Sequence, residues 1–152
     1  TPIMHVGKFA RGLGYFRPAE YTPSMELPDD DYPLTLITGR ILYHYNACAM
    51  TDKTEGINKI AGESIIEINT EDANALGIEN GELVSVSSRR GEVKARADVS
   101  EKTRPGDVWM SFHFLEGGAN WLTSDALDSI SSTPEYKVCA VKVAKLDCTY
   151  CN

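Results

Sequence analysis

The 152-residue chain holds no apolar run of about 18 residues, so no segment has the length of a membrane-spanning helix. Its start, Thr1-Pro2-Ile3-Met4-His5, lacks the charged-then-apolar pattern of an export signal. It also lacks an initiator methionine, and the chain reads as processed or excised from something longer. Positive charge is scarce: 15 Lys and Arg stand against 22 Asp and Glu, a formal charge of −7. A pI near 4.9 excludes a broad nucleic-acid or anionic-membrane surface and leaves room only for a local basic pocket. Four cysteines without an export signal read as reduced thiols of a cytosolic protein rather than a disulfide framework. Cys148 and Cys151 form a single C-x-x-C. A zinc site needs four ligands, and no second Cys/His pair has matching spacing, so residues 147–152 read as a flexible tail. No G-x-S-x-G, H-E-x-x-H or G-K-[ST] phosphate loop occurs, and Ser, His and Asp show no triad spacing. No cysteine sits in an electropositive, activating context. No residue is therefore assigned a catalytic or metal-ligating role. The residues suit a ligand-binding module better than a self-sufficient enzyme.

What is there suits one soluble globular domain: 42% hydrophobic and 24% charged residues. Area scaling gives a folded surface of roughly 7,600 Å² against roughly 24,000 Å² unfolded, enough burial for a real core. Residues 1–31 read as an extended lead-in, because Gly7, Gly12, Gly14, Pro18, Pro23 and Pro28 defeat helix and central strand. The aromatics among them, Phe9, Tyr15, Phe16 and Tyr21, suggest a segment lying across another surface. Glu26-Leu27-Pro28-Asp29-Asp30-Asp31 reads as a solvated acidic linker.

The compact part begins with the apolar run Leu34–Thr38, a buried strand ending at Gly39. Residues 40–63 read as loop with one helical turn, and Ser64–Asn69 as a second strand. Thr70 offers an N-cap to a short helix through Leu76, with Glu71 and Asp72 in its first turn and Gly77 at its C-terminal stop. Asn80-Gly81 is a turn; strands follow at Leu83–Val86, Val93–Val99, Val108–Phe112 and Val138–Val143. A short helix is expected around Ser124–Leu127. Six short strands at hairpin spacing favour a closed or nearly closed β-barrel capped by small helices. A ferredoxin-like α+β sandwich is the alternative that periodicity leaves open.

Three loops collect polar groups. In Thr38–Asn46, Gly39 permits a sharp turn, Arg40 suits phosphate, and His44 and Asn46 can reach phosphate, ribose or a base edge. An exposed arginine among structural tyrosines explains the same residues. In His113–Trp121, paired glycines and three hydrogen-bonding side chains suit contact through backbone amides, or Phe114 and Trp121 simply cover a barrel end. In Thr133–Lys137, Lys137 can meet a phosphate, although composition alone favours a plain strand lead-in.

Taken together, these segments resemble a known family. Tyr32-Pro33-Leu34, Thr38-Gly39-Arg40, His44-Tyr45-Asn46 and Met50-Thr51 resemble the opening of the molybdopterin-dinucleotide-binding domain. This is the C-terminal domain of molybdenum or tungsten oxidoreductases of the dimethyl-sulfoxide-reductase class. Glu67–Ala73, Leu76-Gly77-Ile78, Gly81, Val84, Ser88–Gly91 and Val99-Ser100 resemble its middle. His113-Phe114 with Glu116 and Asn120, then Leu122-Thr123 and Thr133–Lys137, are most similar to the formate dehydrogenase catalytic subunit.

The resemblance covers residues 32–146, and residues 1–31 look like the segment that leads into this domain. It implies a mainly β fold, a double-psi β-barrel with short capping helices. It implies that one guanine-dinucleotide arm of the bis-molybdopterin cofactor is held by Thr38, Gly39, Arg40, His44, Asn46, His113, Asn120, Tyr136 and Lys137. Lys137 and Arg40 would neutralise phosphate, and Asn46 and Asn120 would donate and accept hydrogen bonds. The metal ligand and iron–sulfur cysteines of such enzymes lie in earlier domains, so this fragment would orient a cofactor that carries the chemistry. Implied partners are the remaining domains of the catalytic subunit and electron-transfer subunits. Two other readings accompany this one: a stand-alone barrel subunit of a formylmethanofuran dehydrogenase-like complex, and a peptide- or protein-binding barrel.

Overall fold

A computed structural model describes residues 2–146; the C-x-x-C at Cys148 and Cys151, with the rest of the expected tail, lies outside them. Six strands close into a barrel: β1 Leu34–Gly39, β2 Ile65–Asn69, β3 Leu83–Ser87, β4 Glu92–Ser100, β5 Asp107–Ser111 and β6 Cys139–Lys145. Around the barrel the order is β1-β5-β2-β4-β3-β6. The pairs β1/β5 and β2/β4 are parallel, and the other four are antiparallel. Closure rules out the sandwich alternative. Exchanging β1, β2 and β3 for β4, β5 and β6 reproduces every pairing and its direction, the two-fold pseudosymmetry of a double-psi barrel. No sequence repeat announces it.

The strands form where apolar residues alternate. In β4, Val93, Ala95 and Ala97 face inward while Lys94 and Arg96 face water. Leu36, Ile66, Ile68, Val84, Val86, Val108, Met110, Val141 and Val143 meet in the barrel core. The short helix after β2 is α2, Thr70–Leu76. Its cap is Asn69, one residue earlier than expected, because the Asn69 side chain accepts from the Glu71 amide at 2.9 Å. Gly77 closes it at φ 67°, the left-handed stop the sequence implies.

Two segments differ from expectation. Residues 40–63 hold more helix than one turn: a 3₁₀ turn at Thr51–Lys53 and α1, Glu55–Ala61. The helix expected at Ser124–Leu127 does not form, and a 3₁₀ turn lies earlier, at Ala119–Trp121. Side chains take the backbone groups that a helix there would use. The Ser124 amide donates to Cys139 Sγ, and the Asp128 carboxylate accepts from the amides of Ile130 and Ser131.

In the lead-in, Phe9 and Gly12 close a short bridge, residues 14–24 carry no regular structure, and Tyr15, Phe16 and Tyr21 are exposed. Total exposed surface is 10,892 Å², well above the roughly 7,600 Å² of a compact chain of this mass. No helix of the described residues is long and apolar enough to cross a membrane.

The topology sets where the loops meet. Parallel neighbours end together, so Gly39 of β1 lies beside Ser111 of β5. β6 runs antiparallel to β1, so the chain entering β6 returns to the same end. Loops after β1, after β5 and before β6 therefore share one rim.

Candidate functional site

All nine residues singled out from the sequence fall on that rim, joined by direct contacts. Thr38 uses its amide and its hydroxyl, at 3.1 and 2.6 Å, to bond the Tyr136 carbonyl. The Lys137 ammonium donates back to the Thr38 carbonyl. Gly39 sits flat under the Trp109 indole, where a Cβ would collide with the ring, and its carbonyl accepts from the Phe112 amide at 3.2 Å.

Phe112 is the hub the sequence did not single out. Arg40 lies over its ring at 5.5 Å, Tyr136 approaches at 6.5 Å, and Asn120 Nδ2 donates to its carbonyl at 3.3 Å. The available signal was an aromatic residue closing a strand directly before a loop histidine.

The other half of the rim is built on Asn46, whose φ of 48° is one of two positive values among non-glycine residues described. Asparagine tolerates this conformation. It presents the side-chain oxygen to Arg40 Nε at 3.1 Å and the carbonyl to His113 Nδ1 at 2.7 Å. A carbonyl only accepts, so His113 Nδ1 carries a proton. In the neutral ring Nε2 then keeps a lone pair; it is buried and has no protein partner.

His44 stacks on His113 with centroids 3.8 Å apart and planes 17° apart. Its own nitrogens are both engaged, Nε2 donating to the Ala61 carbonyl at 2.7 Å and Nδ1 facing the Thr51 hydroxyl at 3.0 Å. The same hydroxyl accepts from the Tyr45 amide, so it is free to donate to His44. Phe114 packs its edge against both imidazoles. His44 thus has no ring nitrogen left for a ligand and fixes the plane of His113.

The rim is open and carries cations. Arg40, Asn120, Tyr136 and Lys137 are exposed, whereas Thr38, Gly39, His44 and His113 are buried. Arg40 keeps four N–H donors on its terminal nitrogens beyond the one given to Asn46. A cleft of about 820 Å³ lies between residues 40–43, α1 and Trp109. Another, about 540 Å³, separates Tyr136 and Lys137 from Tyr21–Leu27.

Neither thiol among the described residues is activated. Burial pushes Cys48 up, helped by the Asp52 carboxylate, and burial pushes Cys139 up as well. No cluster of metal-ligating side chains occurs among the described residues.

Residues 34–140 match the molydopterin dinucleotide binding domain family. The F420-dependent formate dehydrogenase 2 subunit alpha of Methanococcus maripaludis is 54% identical over 96% of this chain, and the match is 22% of that protein. A nitrate reductase of Symbiobacterium thermophilum is 47% identical over 86% of the chain and 18% of its own length. Among solved structures, acetylene hydratase from Pelobacter acetylenicus shares the fold, with TM-score 0.68 and 16% identity over 76% of this chain and 19% of its own. The chain thus spans about a fifth of the length of these relatives. The family model covers the whole barrel up to the start of β6, and on that match the chain belongs to the molydopterin dinucleotide binding domain family.

Proposed function

We propose that the rim formed by Thr38–Asn46, His113–Asn120 and Thr133–Lys137 holds a guanine-dinucleotide arm of a bis-molybdopterin cofactor. The domain would be residues 32–146, the C-terminal part of a molybdenum- or tungsten-dependent formate dehydrogenase catalytic subunit. The residues fit such a group. A dinucleotide carries acceptor-only phosphates and donor-bearing base and ribose edges. Arg40 and Lys137 supply N–H donors for the phosphates. The lone pair of His113 Nε2 wants a donor. Asn120 Nδ2 bonds the Phe112 carbonyl, which leaves its amide oxygen to accept from a base. His44 and Asn46 act by holding His113 and Arg40 in place.

The bound group would supply the redox centre at which formate becomes carbon dioxide, releasing one proton and two electrons. This chain would bind and orient it. The remaining domains of the subunit and electron-transfer subunits are the implied partners. Free thiols at Cys48 and Cys139 suit a reducing cytoplasm. The observation that carries the reading is the convergence of two cations and an unpaired buried acceptor on one rim of a family member.

The test is Arg40→Ala and Lys137→Ala in the full-length subunit. Losing a charge-assisted phosphate contact should weaken cofactor retention about tenfold or more while leaving thermal unfolding nearly unchanged. Unchanged pterin and metal content in both variants would overturn the reading. Released nucleotide identified as GMP supports the guanine form. The Symbiobacterium thermophilum relative favours a second substrate, so formate oxidation and nitrate reduction should be assayed side by side. Formate turnover is expected.

A further inference from the structure

The segment before the barrel is tied to the rim through an open stretch of β6. β3 ends at Ser87, which pairs with Lys142, so upstream of Lys142 that edge of β6 has no strand beside it among the described residues. Cys139–Val141 pair with β1 on the other side. The Ala140 amide faces the gap, and a buried donor must find an acceptor. It finds Glu26 Oε1 at 3.0 Å.

The same carboxylate, 12% exposed, accepts from Arg89 Nη1 at 3.2 Å and from Arg90 Nη1. Arg90 continues the chain of bonds, with Nη2 on the Leu122 carbonyl at 2.7 Å, one residue past the 3₁₀ turn that carries Asn120. Nearby, the Glu135 carboxylate accepts from the Ser24 hydroxyl at 2.6 Å and the Met25 amide at 3.2 Å. Glu135 directly precedes Tyr136 and Lys137. Arg89 also grips Asp29 and lies over the Tyr32 ring at 4.7 Å.

We infer that residues 24–32 are a strap that sets the position of two of the three ligand-holding loops, those carrying Asn120 and Lys137, with Glu26 and Glu135 as its positioning residues. The inference rests on the proposed function for what those loops hold. Neither loop belongs to a strand, so the strap's side-chain bonds add to the few backbone bonds, such as Thr38 amide to Tyr136 carbonyl, that hold it. No residue of 2–33 is buried in the core, so releasing the strap should spare the barrel and loosen the rim. The strap also makes the site sensitive to the chain that precedes it. Tension or displacement upstream reaches Asn120 through Arg90, and reaches Lys137 through Glu135.

The experiment uses the full-length subunit with Glu26→Ala and Glu26→Gln. Two readouts are followed: dissociation of pterin dinucleotide from the holoenzyme, and amide exchange by segment. Losing a partly shielded, triply bonded carboxylate should speed cofactor dissociation about tenfold. Exchange at 119–124 and 134–140 should rise by a similar factor, while the β3–β4 hairpin keeps its protection. Gln, which still accepts from the Ala140 amide, should rescue part of both effects.

Faster exchange confined to residues 24–32, with unchanged dissociation, would overturn the strap. Equal loss of protection across the whole barrel would overturn it too, since that is a plain stability effect. If Glu26→Ala does not fold, Ser24→Ala removes one bond only, to Glu135, and must raise cofactor dissociation and exchange at 134–140 by about threefold. Exchange does not depend on the ligand's identity. A rim that loosens in Glu26→Ala while Arg40→Ala and Lys137→Ala retain normal pterin would keep the strap and refute the cofactor reading alone.

Discussion

Gly118→Ala is the substitution with the sharpest structural consequence. A Cβ there would sit 3.0 Å from the Phe114 carbonyl carbon and closer still to its oxygen. Carbon atoms in contact want about 3.5–4.0 Å, and a backbone carbonyl cannot swing aside like a side-chain tip. The loop must therefore open between Phe114 and Gly118. Overpacking costs about 1–3 kcal/mol, and the displaced Trp121 amide bond to the Gly118 carbonyl adds about 1 kcal/mol. A total near 3 kcal/mol is about a hundredfold in a local opening equilibrium.

The assay is segment-resolved amide exchange on the full-length subunit. Residues 112–124 should exchange about a hundredfold faster, with β3 and β6 unchanged, and pterin content should fall because Asn120 and His113 flank the opened segment. Gly56→Ala is the matched control. A Cβ at Gly56 meets nothing within 4 Å, and the residue lies inside α1, so the same change should stabilise by about 0.5–1 kcal/mol. Wild-type protection at 112–124 in Gly118→Ala would refute the steric argument, and so would equal effects at the two glycines.

Two further outcomes follow from the geometry. The Tyr32 amide, against some penalty from burial and with help from the Arg89 charge, holds the Asp29 carboxyl below its ordinary value of 3.8. Its contribution to the strap is present above pH 3.8 and lost as pH falls through the lowered folded value, because in that window the unfolded chain binds more protons. Wild type should therefore exceed Asp29→Asn in exchange protection of residues 24–32 at neutral pH, and the two should converge in acid; a gap that persists would refute the linkage. Asn69→Ala removes the α2 cap and the bond from Asn69 Nδ2 to the Thr103 carbonyl at 2.8 Å. At this buried position the cost should be about 2–3 kcal/mol by denaturant unfolding, with Asn69→Asp intermediate because it keeps only the cap.

Much of the fold was legible because alternation is a direct imprint of burial. Val93, Ala95 and Ala97 mark β4 without help, and Gly77 marks the end of α2. Pairing was not legible: nothing in the period of β1 says that its parallel neighbour is β5, some seventy residues on. The expected helix at Ser124–Leu127 failed for a related reason, since the Ser124 amide bonds Cys139 and the Ala126 carbonyl accepts from the Glu135 amide, contacts invisible in a local window. At the site, the three loops were visible by their polar content, and the family likeness grouped them. Phe112 was missed because a strand-end aromatic reads as core. Glu26 was missed because an acidic proline-bearing run reads as solvated linker; its two arginines lie more than sixty positions away.

The closing order of the barrel bears on how the protein is made. The strand synthesised first, β1, pairs only with the two synthesised last, β5 and β6, with Leu34 opposite Val141. During translation β1 waits unpaired, and such long-range closure is slow. A chain stopped before Cys139 leaves two open edges, β1 and β3, exposed to pairing with other chains. The loop bearing Tyr136 and Lys137 is completed only as that last strand docks. A ligand on this rim would then recognise the closed barrel alone, and all of its binding free energy would count toward keeping the barrel closed.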